Sequence, residues 1–211
     1  IGTFSFDFAK TITTGEGGML VFKDLNVLKK AAAWHDHGHE NNPSFPRWAD
    51  TRKNSGFNYR MTELQGAVGI AQLKKLSHVI ENQRLNKLLI KNELEKINGI
   101  TFRDIPKYSY ETADALIFFV DSKEIAISCR EELLKEGLTT KILPEAYTWH
   151  FAGTWTHIKE IFKANPKILN HLNPSKELIS RAVSIPIGVN MDEDIPMKIK
   201  KAINMSQISS S

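Results

Sequence analysis

The alternation of strand-like and helix-like segments along this sequence predicts a mixed α/β or α+β chain. Apolar residues alternate with period two over Phe4-Ser5-Phe6-Asp7-Phe8, as in a strand, and recur at about 3.6 residues per turn between Val79 and Leu94, as on one face of a helix. Punctuation supports the same reading, since Asn98-Gly99 and Gly137 close helical stretches just before strand-like sequence resumes. The chain has 211 residues, 41% of them hydrophobic and 25% charged. That is long enough for one large or two small domains with a buried core, and it is neither disordered nor fibrous in composition.

Taken in order, Phe4–Phe8 and Gly18–Phe22 read as two strands, possible arms of a wide hairpin around a Thr- and Gly-rich loop. Asp24 is placed to cap a helix running to about Trp34. Residues 36–60 show no helical period and form a long loop. Thr62-Glu63-Leu64-Gln65 has capping-box spacing, and the helix it opens is expected to turn Leu64, Val68, Ala71 and Leu73 inward. Its small residues, Gly66, Ala67, Gly69 and Ala71, suggest close packing. Ser77 is expected to cap a helix to about Ile97 with Val79, Ile80, Leu85, Leu88, Leu89 and Leu94 buried. A domain boundary is placed near Leu76, inside this helical stretch. Then come strands at Ile100–Phe102 and Ala115–Val120, a helix over Lys123–Glu136 and a strand at Thr139–Leu143. Two short helices, a strand at Ala182–Pro186 and a helix near Asp192–Ile203 follow, and the Ser206–Ser211 end is expected to fray.

Charge and cysteine content narrow the function classes. Lys and Arg number 28 against 24 Asp and Glu, a net charge of +4, and no Lys/Arg block occurs, so no nucleic-acid partner is expected. Mean hydropathy is −0.30 and no apolar run approaches a membrane span, so no membrane partner is expected either. A lone cysteine, Cys129, cannot form an intrachain disulfide and fits a reducing, cytoplasmic setting. The chain opens at Ile1 directly in strand-like sequence, which suggests a piece of a longer protein.

The strongest chemical signal is Ser5-Phe6-Asp7-Phe8-Ala9-Lys10 followed by Thr13-Thr14-Gly15-Glu16-Gly17-Gly18. A desolvated, unprotonated lysine can form a Schiff base, and a serine hydroxyl with backbone N–H groups can hold a phosphate. On these residues alone, a surface lysine in a turn is the commoner reading. The glycine run is neither a P-loop nor a dinucleotide fingerprint, because no Gly-Lys-Ser/Thr follows and no helix opens on it. The His35-Asp36-His37-Gly38-His39-Glu40 run has metal-ligand residue types, but without cysteine or helical i, i+4 support it reads as a solvated polar loop, and no metal is expected. Cys129 reads as a small core residue.

Three ordered segments together resemble the DegT/DnrJ/EryC1/StrS family of sugar aminotransferases. They are Ser5 to Gly18, Gly56-Phe57-Asn58-Tyr59-Arg60-Met61-Thr62-Glu63-Leu64-Gln65-Gly66-Ala67, and Val183-Ser184-Ile185-Pro186-Ile187-Gly188 leading to Met191-Asp192-Glu193. The resemblance implies the C-terminal portion of a fold type I pyridoxal 5'-phosphate enzyme: residues 1–76 as the end of the large cofactor domain's sheet and 77–211 as a small α+β domain. It implies a homodimer with a shared active site. By position, Lys10 resembles the Schiff-base lysine, Ser5 the hydroxyl on the cofactor phosphate, and Asn58 the residue reaching that phosphate from the partner subunit. Arg60, His37 and His150 fall at positions expected to meet substrate; the bland alternatives are a surface ion pair for Arg60, a loop-turn residue for Asn58 and a loop cap for His150.

The implied chemistry is ping-pong transfer of an amino group from an amino acid, by resemblance glutamate, to a keto or aldehyde sugar in cell-surface polysaccharide or lipopolysaccharide biosynthesis. Lys10 would hold the cofactor as an imine and then move the proton at the reacting carbon. The His-rich loop and Tyr147-Thr148-Trp149-His150-Phe151-Ala152-Gly153-Thr154-Trp155 resemble the subgroup that aminates 8-oxo-3-deoxy-manno-octulosonate. Arg47, Arg52 and Arg60 would suit such an acid sugar, with Trp149 and Trp155 as candidate stacking rings. The family's partner for the pyridine nitrogen lies before the lysine, so the 211-residue piece is expected to be inactive alone. Three alternatives stay open: a sugar dehydratase, whose relatives typically carry His in place of the lysine, a noncatalytic dimerisation or regulatory fragment, and part of a complete enzyme whose first half is disordered or held in another chain.

Overall fold

The computed structural model describes residues 1–208. The chain divides into two compact units, Ile1–Ser77 and His78–Ser211.

The first unit opens with β1 (Gly2–Ser5), paired antiparallel to β2 (Gly18–Val21) with Gly2 opposite Val21 and Ser5 opposite Gly18. The hairpin is present, but β1 lies further toward the N-terminus than its alternation predicts. Asp7 ends it: its side chain accepts from Ala9 N at 2.9 Å and its carbonyl from Lys10 N at 3.1 Å, turning the chain. Helix α1 (Leu25–His35) starts at Asp24, whose carboxylate accepts from Asn26 N and Val27 N at 2.7 and 3.2 Å. Helix α2 (Glu63–Leu73) carries the expected box: Gln65 N donates to Thr62 Oγ1 and Thr62 N donates to Gln65 Oε1. Its packing differs from expectation. No residue of α2 is buried, and Leu64 is 81% exposed. Ala33 is the one buried hydrophobic residue among those described in this unit.

Helix α3 (Leu76–Leu94) begins in the first unit and runs into the second. Ser77 lies inside it rather than capping it. Its buried face is Gln83, Lys87, Ile90 and Leu94, while the predicted Leu85, Leu88 and Leu89 are about half exposed. Two polar residues hold that face inward. Gln83 Nε2 donates to Ile187 O at 2.8 Å, and Lys87 pairs with Glu111 at 2.7 Å. A hydrophobicity stripe cannot report such partners, because they come from distant segments.

Beyond α3, β3 (Thr101–Phe102), β4 (Ala115–Phe119) and β5 (Ala182–Pro186) form an antiparallel sheet in the order β3-β4-β5. Leu116 and Phe118 on β4 face the same side as Ile185 and Val183 on β5. Helices α4 (Lys123–Lys135) and α8 (Ile195–Ile208) and the buried face of α3 join them in a core that includes Ala126, Cys129, Leu133, Ile199 and Ile203. Ser122 caps α4, and Gly137 follows its end at φ +75°. The excursion from 139 to 181 departs most from expectation. Thr139–Leu143 is not a strand: Lys141 N donates to Ser184 O and Leu143 O accepts from Ser184 N, but Ile142 has φ +76° and Pro144 has no N–H to extend a ladder. Three helices, α5 (Tyr147–His150), α6 (Lys159–Ala164) and α7 (Ile168–Ser180), stand where two were expected. The C-terminal fraying expected from Ser206 onward is overturned as far as Ile208. Ser206 is fully buried in α8, where its hydroxyl donates to Ile203 O at 2.7 Å and lies 3.1 Å from Cys129 Sγ. Residues 209–211 lie outside the described residues.

Candidate functional site

The Ser5–Gly18 connection is a turn-built loop. Phe6 closes it by donating to Gly17 O at 2.9 Å and accepting from Thr14 N at 3.0 Å, with Thr13 Oγ1 also donating to Phe6 O. Lys10 sits on this loop with its side chain exposed and with no ion-pair or hydrogen-bond partner among the described residues. Ser5 is also exposed; its Oγ accepts from Asp7 N at 3.4 Å. Gln65 ties the loop to the start of α2 by donating to Glu16 O at 2.8 Å.

A second segment is held to the end of α1 by backbone bonds. Phe57 N donates to Trp34 O, His37 N to Phe57 O and Tyr59 N to His35 O, at 2.8–2.9 Å. Trp34, Phe57 and Tyr59 cluster around this ladder with ring centroids 5.0–6.0 Å apart, Phe57 stacked on Tyr59 and Trp34 edge-on to Phe57. Close approach requires two glycines. Gly38 has φ +83°, and a Cβ there would lie 2.1 Å from Asn54 O; a Cβ on Gly56 would lie 2.3 Å from Gly38 N. His37, also at positive φ (+55°), is exposed.

The His35–Glu40 run reads from the sequence as a solvated polar loop. Instead, it folds around buried charges. Asp36 is 5% exposed and receives two bonds from Arg47, at 2.6 and 2.9 Å. Arg60 Nε lies 3.4 Å from Asp36 Oδ1 and donates to Asn58 Oδ1 at 3.0 Å. Hydrogen bonding from Arg47, against the opposing cost of burial and reinforced by the charges of Arg47 and Arg60, lowers the Asp36 pKa to about 2. Beside it, His39 Nδ1 lies 3.3 Å from Asp50 and its Nε2 lies 3.1 Å from Arg52. Arg47 and Arg52, two of the three cations offered to an acid sugar, are therefore held by Asp36 and His39. No group of three or more His, Cys, Asp or Glu among the described residues is placed to hold a metal.

Asn58 and Arg60 are thus in direct contact. No bond among the described residues joins them to Ser5 or Lys10. A cavity of about 400 Å³ lies between the glycine loop and this segment, lined by Gly17, Gly18, His35, Tyr59, Arg60, Met61 and Gln65. A larger one, about 950 Å³, lies along β1, β2 and α1; it is mostly apolar and includes none of Lys10, Asn58 and Arg60. His150 lies in the second unit, exposed at the end of α5. Trp149 beside it is 77% exposed, whereas Trp155 Nε1 is engaged with Thr148 O at 3.2 Å. From the sequence, Asp36 counts only as one member of the His-rich run and is set aside with it, and nothing there anticipates its burial against Arg47 and Arg60. The only available signal was an acid two residues from a glycine within a His-rich run, a pattern equally at home in a solvated loop.

Residues 1–204 match the DegT/DnrJ/EryC1/StrS aminotransferase family. The chain is 39% identical over 205 residues to GDP-perosamine synthase of Escherichia coli O157:H7, covering 97% of this chain and 51% of that protein. It is 31% identical over 147 residues to the UDP-4-amino-4,6-dideoxy-N-acetyl-beta-L-altrosamine transaminase of Campylobacter jejuni subsp. jejuni serotype O:23/36 (strain 81-176), covering 67% of this chain and 38% of that one. Its fold is shared with the aminotransferase from Psychrobacter cryohalolentis, at TM-score 0.78 and 22% identity, over 99% of this chain and 56% of that one. The chain spans about half the length of the curated relatives it matches. No helix among the described residues is long and apolar enough to cross a membrane.

Proposed function

Because this chain belongs to the DegT/DnrJ/EryC1/StrS aminotransferase family, we propose that it is the lysine-bearing portion of a pyridoxal 5'-phosphate-dependent sugar aminotransferase. The side chains available suit that cofactor. Lys10 offers an amine without an ion-pair partner among the described residues. Ser5 uses its oxygen only as an acceptor, and the Asn58 amide N–H groups are not engaged, in the bonds among the described residues. A hydroxyl, a carboxamide and a nearby guanidinium are a donor set for a phosphate monoester. When bound, the cofactor supplies an aldehyde that accepts an amine and a ring that takes up electrons released at the substrate carbon. Ser5 binds its phosphate, and Asn58 reaches that phosphate from the partner subunit of the proposed dimer. Lys10 Nζ, as a free amine, carries the proton at the carbon that loses or gains nitrogen. Arg60 and His37 meet the substrate; His150 is read as a substrate contact on its own segment.

The observation that carries transamination over dehydration is the residue at position 10, a lysine where dehydratase relatives are expected to carry histidine. A nucleoside-diphosphate-linked sugar is the first substrate reading, since the names of both relatives specify GDP- or UDP-linked sugars; transamination requires its keto form. The octulosonate acid is second, supported by the exposed Trp149 beside His150. A homodimer with a shared site is part of the proposal. It is supported by the exposure of Phe4, Leu20, Leu64 and Ile70 in a unit with almost no core of its own. The single buried cysteine supports a cytoplasmic setting. The test is a glutamate-coupled assay of the full-length protein against a panel of keto sugars that includes both classes, with borohydride trapping of the cofactor. Labelling at Lys10 and loss of turnover in Lys10→Ala are expected; full turnover by Lys10→Ala would sink the proposal.

A further inference from the structure

We infer that Asp36 is a positioning residue: its buried carboxylate holds the Arg60 guanidinium, and through it the Asn58 carboxamide, with their remaining N–H groups free for an oxyanion. The inference rests on the proposed ligand role of Asn58 and Arg60 but concerns a residue to which that reading gives no part.

Arg47 already satisfies Asp36 with two short bonds, so a purely structural ion pair is complete without Arg60. Arg60 nevertheless brings its Nε within 3.4 Å of Asp36 Oδ1 and donates to Asn58 Oδ1 at 3.0 Å. Guanidinium is a planar fork, so engaging Nε on the inner side leaves the edge carrying both Nη groups available. Accepting at Oδ1 likewise fixes which end of the Asn58 amide points inward and leaves its N–H₂ as a donor. Asp36 lies between the two guanidinium groups, and the Asp50 charge also acts on Arg47. Arg60 also lines the 400 Å³ cavity beside Gly17 and Gly18. Backbone geometry locks the arrangement, because Asp36 and Asn58 form an antiparallel bridge. The chemistry recognised is a phosphate or carboxylate, from either cofactor or substrate.

The test uses the full-length protein and its Arg60→Ala, Asp36→Asn and double variants, with dissociation constants for pyridoxal 5'-phosphate and for pyridoxal, and KM for the sugar substrate. Loss of a charge-assisted contact predicts a weakening of about ten- to a hundredfold in Arg60→Ala. Asp36→Asn should lose about tenfold, and the double variant should lose no more than Arg60→Ala, since both remove one device. A loss confined to pyridoxal 5'-phosphate assigns the anion to the cofactor; a loss confined to the sugar KM assigns it to the substrate. Either supports the inference. Equal weakening of pyridoxal and its phosphate, or additive losses, would mark Asp36 as merely structural and overturn it. An unaffected Arg60→Ala would instead overturn the ligand role of Arg60 and the inference with it. If Asp36→Asn does not fold, the Arg60 Nε–H nuclear magnetic resonance signal of the unaltered protein decides. Slow exchange and a shift on adding inorganic phosphate support the inference; a fast-exchanging signal unmoved by phosphate overturns it.

Discussion

Replacing Gly56 with alanine should open the scaffold under Asn58 and Arg60. The new methyl would lie 2.3 Å from Gly38 N, 2.7 Å from Trp34 O and 2.9 Å from Ala33 O, all backbone atoms with no rotamer to relieve the clash. Restoring ordinary contact requires a shift of roughly 1 Å. That shift falls on three backbone bonds, Gly38 N to Ala33 O, Phe57 N to Trp34 O and His37 N to Phe57 O. At about 1 kcal/mol net for each bond, plus about 1 kcal/mol or more for overpacking, the local cost is about 4 kcal/mol. Amide hydrogen exchange of the full-length protein reads it directly: protection of His37, Gly38 and Phe57 should fall by about a thousandfold. Gly66→Ala is the control. A Cβ added there meets nothing within 4 Å among the described residues outside its own helix backbone, so this helical position should gain about 0.5–1 kcal/mol. If Gly56→Ala kept those three amides within about threefold of their original protection, the steric reasoning would be wrong.

Other outcomes follow from the same geometry. Phe118→Ala, at a fully buried position of the central strand, should lower unfolding free energy by about 3–5 kcal/mol in urea titration. Asp36 has a pKa near 2 in the folded chain against an ordinary 3.8, so the stability it contributes is present above pH 3.8 and is lost as pH falls toward 2. Denaturant midpoints between pH 5 and 2 should therefore drop less steeply in Asp36→Asn, which starts from a lower value at neutral pH. Burial pushes the Cys129 thiol up to about 11 despite the opposing Ser206 contact. Its reaction with a disulfide reagent at pH 8 should be at least about a hundredfold slower in the native protein than in urea.

How far sequence reasoning reached depended on whether the cause was local. The Asp24 cap, the Thr62–Gln65 box, the glycine end at Gly137 and the β5 boundaries at Ala182 and Pro186 match their local sequence signals, whereas α3, expected to run to about Ile97 and stop at Asn98-Gly99, already ends at Leu94. The family, too, was legible, because three ordered segments preserve their residue types along the chain. Faces and partners were another matter. Which side of α3 turns inward was settled by Ile187 and Glu111, far along the chain, which accept from Gln83 and pair with Lys87. Asp36 looked like one more acid in a polar loop until folding delivered Arg47 and Arg60 to it from 11 and 24 residues away. Chain-local hydrogen bonds and apolar periodicity are written in neighbouring residues. The burial of a charge and the free edge of a guanidinium arise only when distant segments meet.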